Sequence, residues 1–88
     1  MSKINFKEFG VFTDISKAKK DIVDARLAVS DNLYKHANGI AAHDLAMRIY
    51  HSDGEIELSE QDAALLQQHA KVCFTPLFID SLNANLHE

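Results

Sequence analysis

The sequence has little of the residue types that cross-link or interrupt small proteins. Its 88 residues include one cysteine, Cys73, together with one proline, three glycines and no tryptophan. A single cysteine excludes an internal disulfide and is typical of a protein kept in a reducing compartment. The length leaves room for one core, so we expect one domain over residues 1–88. Such a small core is expected to be only modestly stable, which favours association with another chain.

The chain also lacks a long apolar run and an excess of positive charge. Charged residues interrupt residues 1–8 before they reach the length of a signal peptide or membrane span, so we expect a cytoplasmic protein with no membrane contact. Nine Lys and Arg against thirteen Asp and Glu give a net charge of −4, which makes nucleic acid an unlikely partner.

One local group of basic residues is interleaved with acidic ones, over Lys17, Lys19, Lys20, Asp21, Asp24 and Arg26. At helical spacing these charges compensate each other, so we interpret the group as a solvated helix face. A local contact with nucleic acid through the basic members is the weaker alternative.

Apolar spacing predicts two helices in the first half of the chain. In residues 16–37 apolar side chains recur every three or four positions, with Asp14 or Ser16 available to cap the start and Asn38-Gly39 to close the end. A second helix is expected over residues 40–51. A sharp corner and a kinked continuation between the two helices are equally compatible with the sequence.

Two further helices are predicted in the second half. Ser59, followed three residues later by Asp62, forms an approximate capping box that begins a helix running to Cys73. Thr75 is a suitable N-cap for the last helix, with Pro76 at its first position, where a missing N–H costs nothing.

The N-terminal residues 1–15 show no sustained helical period, so we expect an extended arm that lies on the helices. The stretch Glu55-Ile56-Glu57-Leu58 alternates between polar and apolar residues and is expected to pair briefly with this arm. The expected fold class is therefore mainly all-α: a small bundle of about four helices with an extended N-terminal arm and at most a minor two-stranded β contact.

Residues 49–60 resemble a calcium-binding loop in their second half only. Asp53, Gly54, Ile56 and Glu60 suit its fifth, sixth, eighth and twelfth positions, but Ile49 and His51 occupy the first and third, where acidic ligands are needed. The acidic residues that remain here are Glu55, Glu57, Glu60 and Asp62. We interpret the segment as a solvated connector that begins a helix, with weak divalent-ion binding as the alternative.

His69 and Cys73 are four residues apart and so share one helix face, as half of a zinc site or a thiolate and its base would. No second ligand pair and no orienting group accompany them, and burial of Cys73 in the core is the favoured interpretation. The other histidines form no metal motif, and the chain has no phosphate loop or nucleophile elbow. We therefore expect no cofactor, no metal and no enzymatic activity.

The aromatic residues gather at the two ends of the chain, as Phe6, Phe9, Phe12, Phe74 and Phe78. They either complete the core or form an aromatic edge that binds a partner or exchanges between two copies. They are our candidate protein-interaction residues. The function this favours is a non-enzymatic helical protein–protein interaction module that self-associates, and the alternative is a metal- or ligand-responsive module using residues 53–62 or the His69/Cys73 pair.

Four segments of the chain resemble those of small uncharacterised proteins from gut Bacteroides-type bacteria and their phages: residues 6–12, 38–43, 49–55 and 75–80. The resemblance implies a bacterial, phage or mobile-element origin and brings no activity with it. A protein of that kind would act by binding, for example as an inhibitor of a host factor or as a minor virion component.

Overall fold

A computed structural model describes residues 2–87, in which four strands and four helices are interleaved along the chain. The strands are β1 (Ser2–Asn5), β2 (Phe9–Phe12), β3 (Lys20–Val23) and β4 (Glu55–Leu58). The helices are α1 (Arg26–His36), α2 (Ile40–His51), α3 (Glu60–Cys73) and α4 (Pro76–Asn85). With 55% helix and 20% strand the fold is mixed α/β, so the expected mainly all-α bundle is wrong.

The strands form two separate antiparallel pairs. In the β1·β4 pair Ile4 lies opposite Ile56, which confirms the predicted contact between the N-terminal arm and Glu55–Leu58. In the β2·β3 pair Gly10 lies opposite Ile22. This second pair was not expected, because its strand β3 lies within the segment predicted as the first helix.

The first helix begins ten residues later than predicted, at Arg26 rather than at residue 16. Asp14 accepts a hydrogen bond from the backbone N–H of Ser16 at 2.9 Å, and Lys17 has φ +58°, so these residues form a turn instead of a helix cap. The Ala25 N–H then donates to the Phe6 carbonyl at 2.8 Å. Pairing with distant strand residues therefore overrides a local spacing that also fits a helix.

The first two helices are joined by a corner. The backbone of Ala37 is extended after α1, and Gly39, with φ +97° and ψ 163°, precedes α2 in a conformation that favours glycine. Leu27 and Tyr50 lie together at one end of the pair, and Tyr34 meets His43 at the other, with ring centroids 5.7 Å apart. The two helices therefore form an antiparallel hairpin.

The predicted starts of the last two helices are confirmed. The Ser59 hydroxyl accepts from the Asp62 N–H at 3.0 Å, and the Thr75 hydroxyl accepts from the Phe78 N–H at 3.4 Å. Pro76 occupies the first turn of α4. These starts depend on neighbouring residues alone, which is why the sequence revealed them.

Apolar side chains from both sheets and all four helices form one buried cluster. Its largest fully buried members are Ile4, Phe6, Phe9, Leu33, Leu45, Ile49, Leu58, Leu66 and Leu82. Strand β3 contributes no buried residue. The core therefore lies between the helices and the strands β1, β2 and β4.

Candidate protein-binding surface

Four of the five candidate phenylalanines form one aromatic cluster where the ends of the chain meet. Ring centroids are 5.7 Å apart for Phe6 and Phe9, 5.3 Å for Phe9 and Phe78, and 4.7 Å for Phe74 and Phe78. Phe6 and Phe9 are fully buried, whereas Phe74 and Phe78 are half-buried. Phe12 is also half-buried and lies apart from the cluster. Their role in binding a partner stays a prediction, and it rests on the exposed parts of Phe12, Phe74 and Phe78.

The His69/Cys73 pair separates into one buried and one exposed side chain. The His69 ring nitrogen Nε2 lies 2.7 Å from the Asn32 side-chain oxygen. Burial lowers the pKa of His69, and the nearby His36 lowers it further. Cys73 is exposed, so the prediction that it lies in the core is wrong, because Phe74 packs against the core at this end of α3.

Carboxylates within residues 53–62 are paired with basic side chains from several elements. The pairs are Asp53 with Lys7 at 2.7 Å, Glu55 with His87 at 2.6 Å, and Asp62 with Arg48 at 2.8 Å. Burial raises the pKa of Asp62, but hydrogen bonds from Arg48 and Ser59 outweigh it, so the pKa lies below its ordinary value. Within residues 2–87, no three His, Cys, Asp or Glu side chains are grouped so that they could hold a metal ion.

Large apolar side chains are exposed along the outer face of the α1–α2 hairpin. Leu27 is 64% exposed, Tyr34 59%, Tyr50 51% and Met47 38%. They surround a groove with a volume of about 180 Å³, which we call the hairpin groove. The groove is lined by Leu27, Ser30, Asp31, Tyr34, Ala46, Met47 and Tyr50.

Each helix of the hairpin has a second apolar face in addition to the buried one. In α1, Val29 and Leu33 are buried, while Leu27 and Tyr34 lie two turns apart on the outer side. In α2, Leu45 and Ile49 are buried, while Met47 and Tyr50 are exposed on the outer side. The groove forms where the two outer faces meet.

A polar cleft continues from the hairpin groove and shares Leu27 and Tyr50 with it. Arg26 fixes the geometry of this cleft, because one guanidinium nitrogen lies 2.7 Å from the Asp24 carboxylate and another donates to the Ser52 carbonyl at 2.6 Å. The side-chain hydrogen bond from Arg26 lowers the pKa of Asp24 to about 2. Charges of both signs therefore flank an apolar groove.

The apolar spacing of residues 16–37 and 40–51 did not reveal this surface, because helical spacing alone does not tell which apolar residues are buried. A usable signal was the seven-residue spacing of Leu27 and Tyr34, which marks a second stripe beside the one through Val29 and Leu33. An exposed stripe of large side chains is unusual in a monomeric protein and points to an interaction site.

No protein family, curated protein or solved structure compared with the chain matches it. Within the described residues, none of the helices combines the length and apolar character needed to cross a membrane.

Proposed function

We propose that this protein is a non-enzymatic interaction module that binds another protein through the hairpin groove. The observation that supports it is the exposure of Leu27, Tyr34, Met47 and Tyr50 around one apolar groove. Tyrosine is enriched among the residues that contribute most to binding energy, since its ring supplies a large apolar area and its hydroxyl a polar contact.

The size of the groove favours a side chain of a protein over a small molecule. Pockets for small organic ligands usually exceed about 300 Å³ and enclose most of the ligand. The hairpin groove, at about 180 Å³, is open and has room for one large apolar side chain. This suits the anchor residue of a helical or extended segment of a partner protein.

The charged residues around the groove also suit a protein partner. Protein interfaces combine an apolar centre with a polar rim. Here Asp31 lies at the groove and forms an ion pair with Lys35 at 3.0 Å, while Asp24 and Arg26 lie in the adjoining cleft. A partner segment is therefore expected to carry a large apolar anchor flanked by charges of both signs.

Selection from a random-peptide display library tests the proposal, because it samples many possible anchor residues at once. Peptides selected on the wild-type protein are expected to share an aromatic or leucine anchor. In the double variant Leu27→Ser, Tyr50→Ser we expect at least about a tenfold weaker binding, since a truncated anchor contact usually costs more than 1 kcal/mol. Binding is measured by fluorescence anisotropy with the purified peptide.

The matched control replaces an equally exposed apolar residue outside the groove. Val72, in α3, is 76% exposed, and Val72→Ser should leave peptide affinity unchanged. Circular dichroism checks that each variant keeps its fold. Peptides that bind both variants equally, or that lose affinity only with Phe74→Ser, would place the binding surface elsewhere and contradict the proposal.

A further inference from the structure

Three of the four outer strand edges in the two sheets make hydrogen bonds with other parts of the chain. Beyond β1, the Lys3 and His87 backbones exchange two hydrogen bonds, at 2.5 and 3.0 Å. Beyond β2, the Asn85 side-chain amide donates to the Gly10 carbonyl at 2.8 Å and accepts from the Gly10 N–H at 3.1 Å. Beyond β4, Arg48 donates to the Glu57 carbonyl at 2.5 Å.

Strand β3 differs because all four of its residues are exposed. The Gly10 and Phe12 backbones point toward α4, where Asn85 and Ser81 bind them, and so point away from β3. In an antiparallel pair, the residues opposite them must then also point away from their partner strand. These residues are Ile22 and Lys20. Their backbone N–H and C=O groups therefore point to the open edge, and no hydrogen bond within residues 2–87 reaches them from outside the sheet.

Along β3, successive residues point their backbone groups alternately to β2 and to the open edge. This alternation restricts how a second copy of β3 can pair antiparallel with the first. Only even-numbered residues present backbone groups at the edge, so even-numbered residues must lie opposite even-numbered ones. Two such registers overlap three residues of each strand. One sets Asp21 opposite Asp21, which is unfavourable because like charges meet directly.

The other register sets Ile22 opposite Ile22 and is complementary to itself. It pairs two apolar side chains that are each 66% exposed in the single chain. It also brings Lys20 opposite Asp24 of the other copy, the residue that follows β3 and already forms an ion pair with Arg26. Lys20 would join this pair, and by the two-fold symmetry the arrangement occurs twice. An unrelated strand would offer Lys20 the same pairing only if it carried an acidic residue at that position.

We propose that β3 pairs antiparallel with β3 of a second copy of this chain, with Ile22 opposite Ile22, to form a two-fold symmetric dimer with a continuous four-stranded sheet. The dimer uses none of the residues that line the hairpin groove, although Asp24 also lines the adjoining polar cleft. The contact is small, which places the dimer among transient associations, so it forms as the protein concentration rises.

Sedimentation equilibrium across a concentration series, up to about 1 mM protein, measures the association. The average mass is expected to rise from one chain toward two. Ile22→Pro should abolish this rise without unfolding the chain, because the Ile22 N–H points to the open edge and proline is tolerated at such positions. Lys20→Glu should weaken the dimer at least about tenfold, because it sets like charges opposite each other, and Lys20→Arg should preserve it.

Cysteine cross-linking identifies the register. Cys73 is replaced first by Cys73→Ser, because its thiol is exposed. In that background Ile22→Cys is expected to form a covalent dimer with oxidised glutathione, since residues directly opposite each other lie within disulfide reach. The matched variant Asp21→Cys should stay largely monomeric.

Three results would overturn the proposal. One is a mass of a single chain at every concentration. Another is cross-linking of Asp21→Cys as fast as, or faster than, Ile22→Cys, which would mean that the copies meet in another register or at random. The third is a dimer that persists with Ile22→Pro, because the copies then associate through a different surface, and the hairpin groove is tested next with Leu27→Ser.

Discussion

In the β1·β4 sheet both outer edges meet another part of the chain, whereas the β2·β3 sheet is covered only along β2. The burial of the strand side chains differs between the two sheets in the same way. Ile4 of β1, Leu58 of β4 and Phe9 of β2 are fully buried, while β3 buries nothing. Two sheets of equal size therefore serve different purposes: one closes the core, and the other holds a strand at the surface.

Isolated two-stranded sheets are only marginally stable in water, so each sheet depends on what its strands pack against. For the β2·β3 sheet that support comes through β2 from α4, where Asn85 and Ser81 occupy the place of a neighbouring strand. Strand β3 is thus held mainly through β2 and through the bond from Ala25 to Phe6.

The largest expected effect is a difference in unfolding free energy between truncating a side chain of β2 and truncating one of β3. Phe9→Ala should lower the free energy of unfolding by about 3–5 kcal/mol, because it empties a fully buried site. Ile22→Ala, measured at a concentration where the chain is monomeric, should change it by less than about 0.5 kcal/mol. Urea unfolding gives both values. Equal losses would mean that β3 supports the core as β2 does.

Removing the hydrogen bonds between Asn85 and the outer edge of β2 is expected to have the next largest effect on stability. Asn85→Ala removes both hydrogen bonds to the partly buried Gly10 backbone and should cost about 1–3 kcal/mol, because the two groups lose their partners. The control is Asn83→Ala on the exposed side of α4, which should cost less than about 0.5 kcal/mol. If Asn83→Ala cost as much, the effect would belong to the helix and not to the strand edge.

Amide hydrogen exchange compares the two sheets directly. The inward-pointing amides of β3, at Asp21 and Val23, should exchange about tenfold faster or more than those of Ile4 and Ile56, since a strand with few buried contacts opens at lower cost. The measurement uses dilute protein, below the concentration at which copies pair. Equal protection in the two sheets would contradict the view that β3 opens more easily than the β1·β4 sheet.

The contact of Arg48 with the outer edge of β4 is expected to contribute less to stability than the contact of Asn85 with β2. Arg48→Met removes the hydrogen bond to the Glu57 carbonyl and the ion pair with Asp62, but the Arg48 side chain is 46% exposed. Water replaces an exposed partner, so the cost in thermal or urea unfolding should stay below about 1 kcal/mol. A loss larger than that of Asn85→Ala would reverse the ranking of the two edges.

The smallest effect concerns pH. The pKa of Asp62 is lower in the folded chain than its ordinary value of 3.8, so the unfolded chain binds the proton more tightly. The stability that Asp62 contributes is therefore complete above pH 3.8 and is lost as the pH falls below that value. Asp62→Asn should be less stable than wild type at pH 7, with the difference narrowing toward pH 2.5. A difference that stays constant with pH would rule out the titration of this carboxylate as its source.

The candidate sites differ in how much of them was visible in the sequence. The sequence shows that the phenylalanines gather at the two ends of the chain, and the structure joins Phe6, Phe9, Phe74 and Phe78 in one cluster, while their role in binding stays a prediction. The hairpin groove was missed because Leu27 and Tyr50 are apolar residues at helical spacing, and such spacing does not tell which of two apolar faces is buried. The free edge of β3 was not foreseeable, since its segment was assigned to a helix.

By itself the sequence determined the features that depend on near neighbours. The helix over residues 40–51 follows from apolar spacing. The starts of the helices capped by Ser59 and Thr75 follow from side chains that accept hydrogen bonds from N–H groups three residues on. Only the tertiary structure decided that residues 20–23 pair with β2, because the bonds that hold them come from residues distant in the chain. It also decided which strand edge stayed open, since that depends on where His87, Asn85 and Arg48 come to lie after folding.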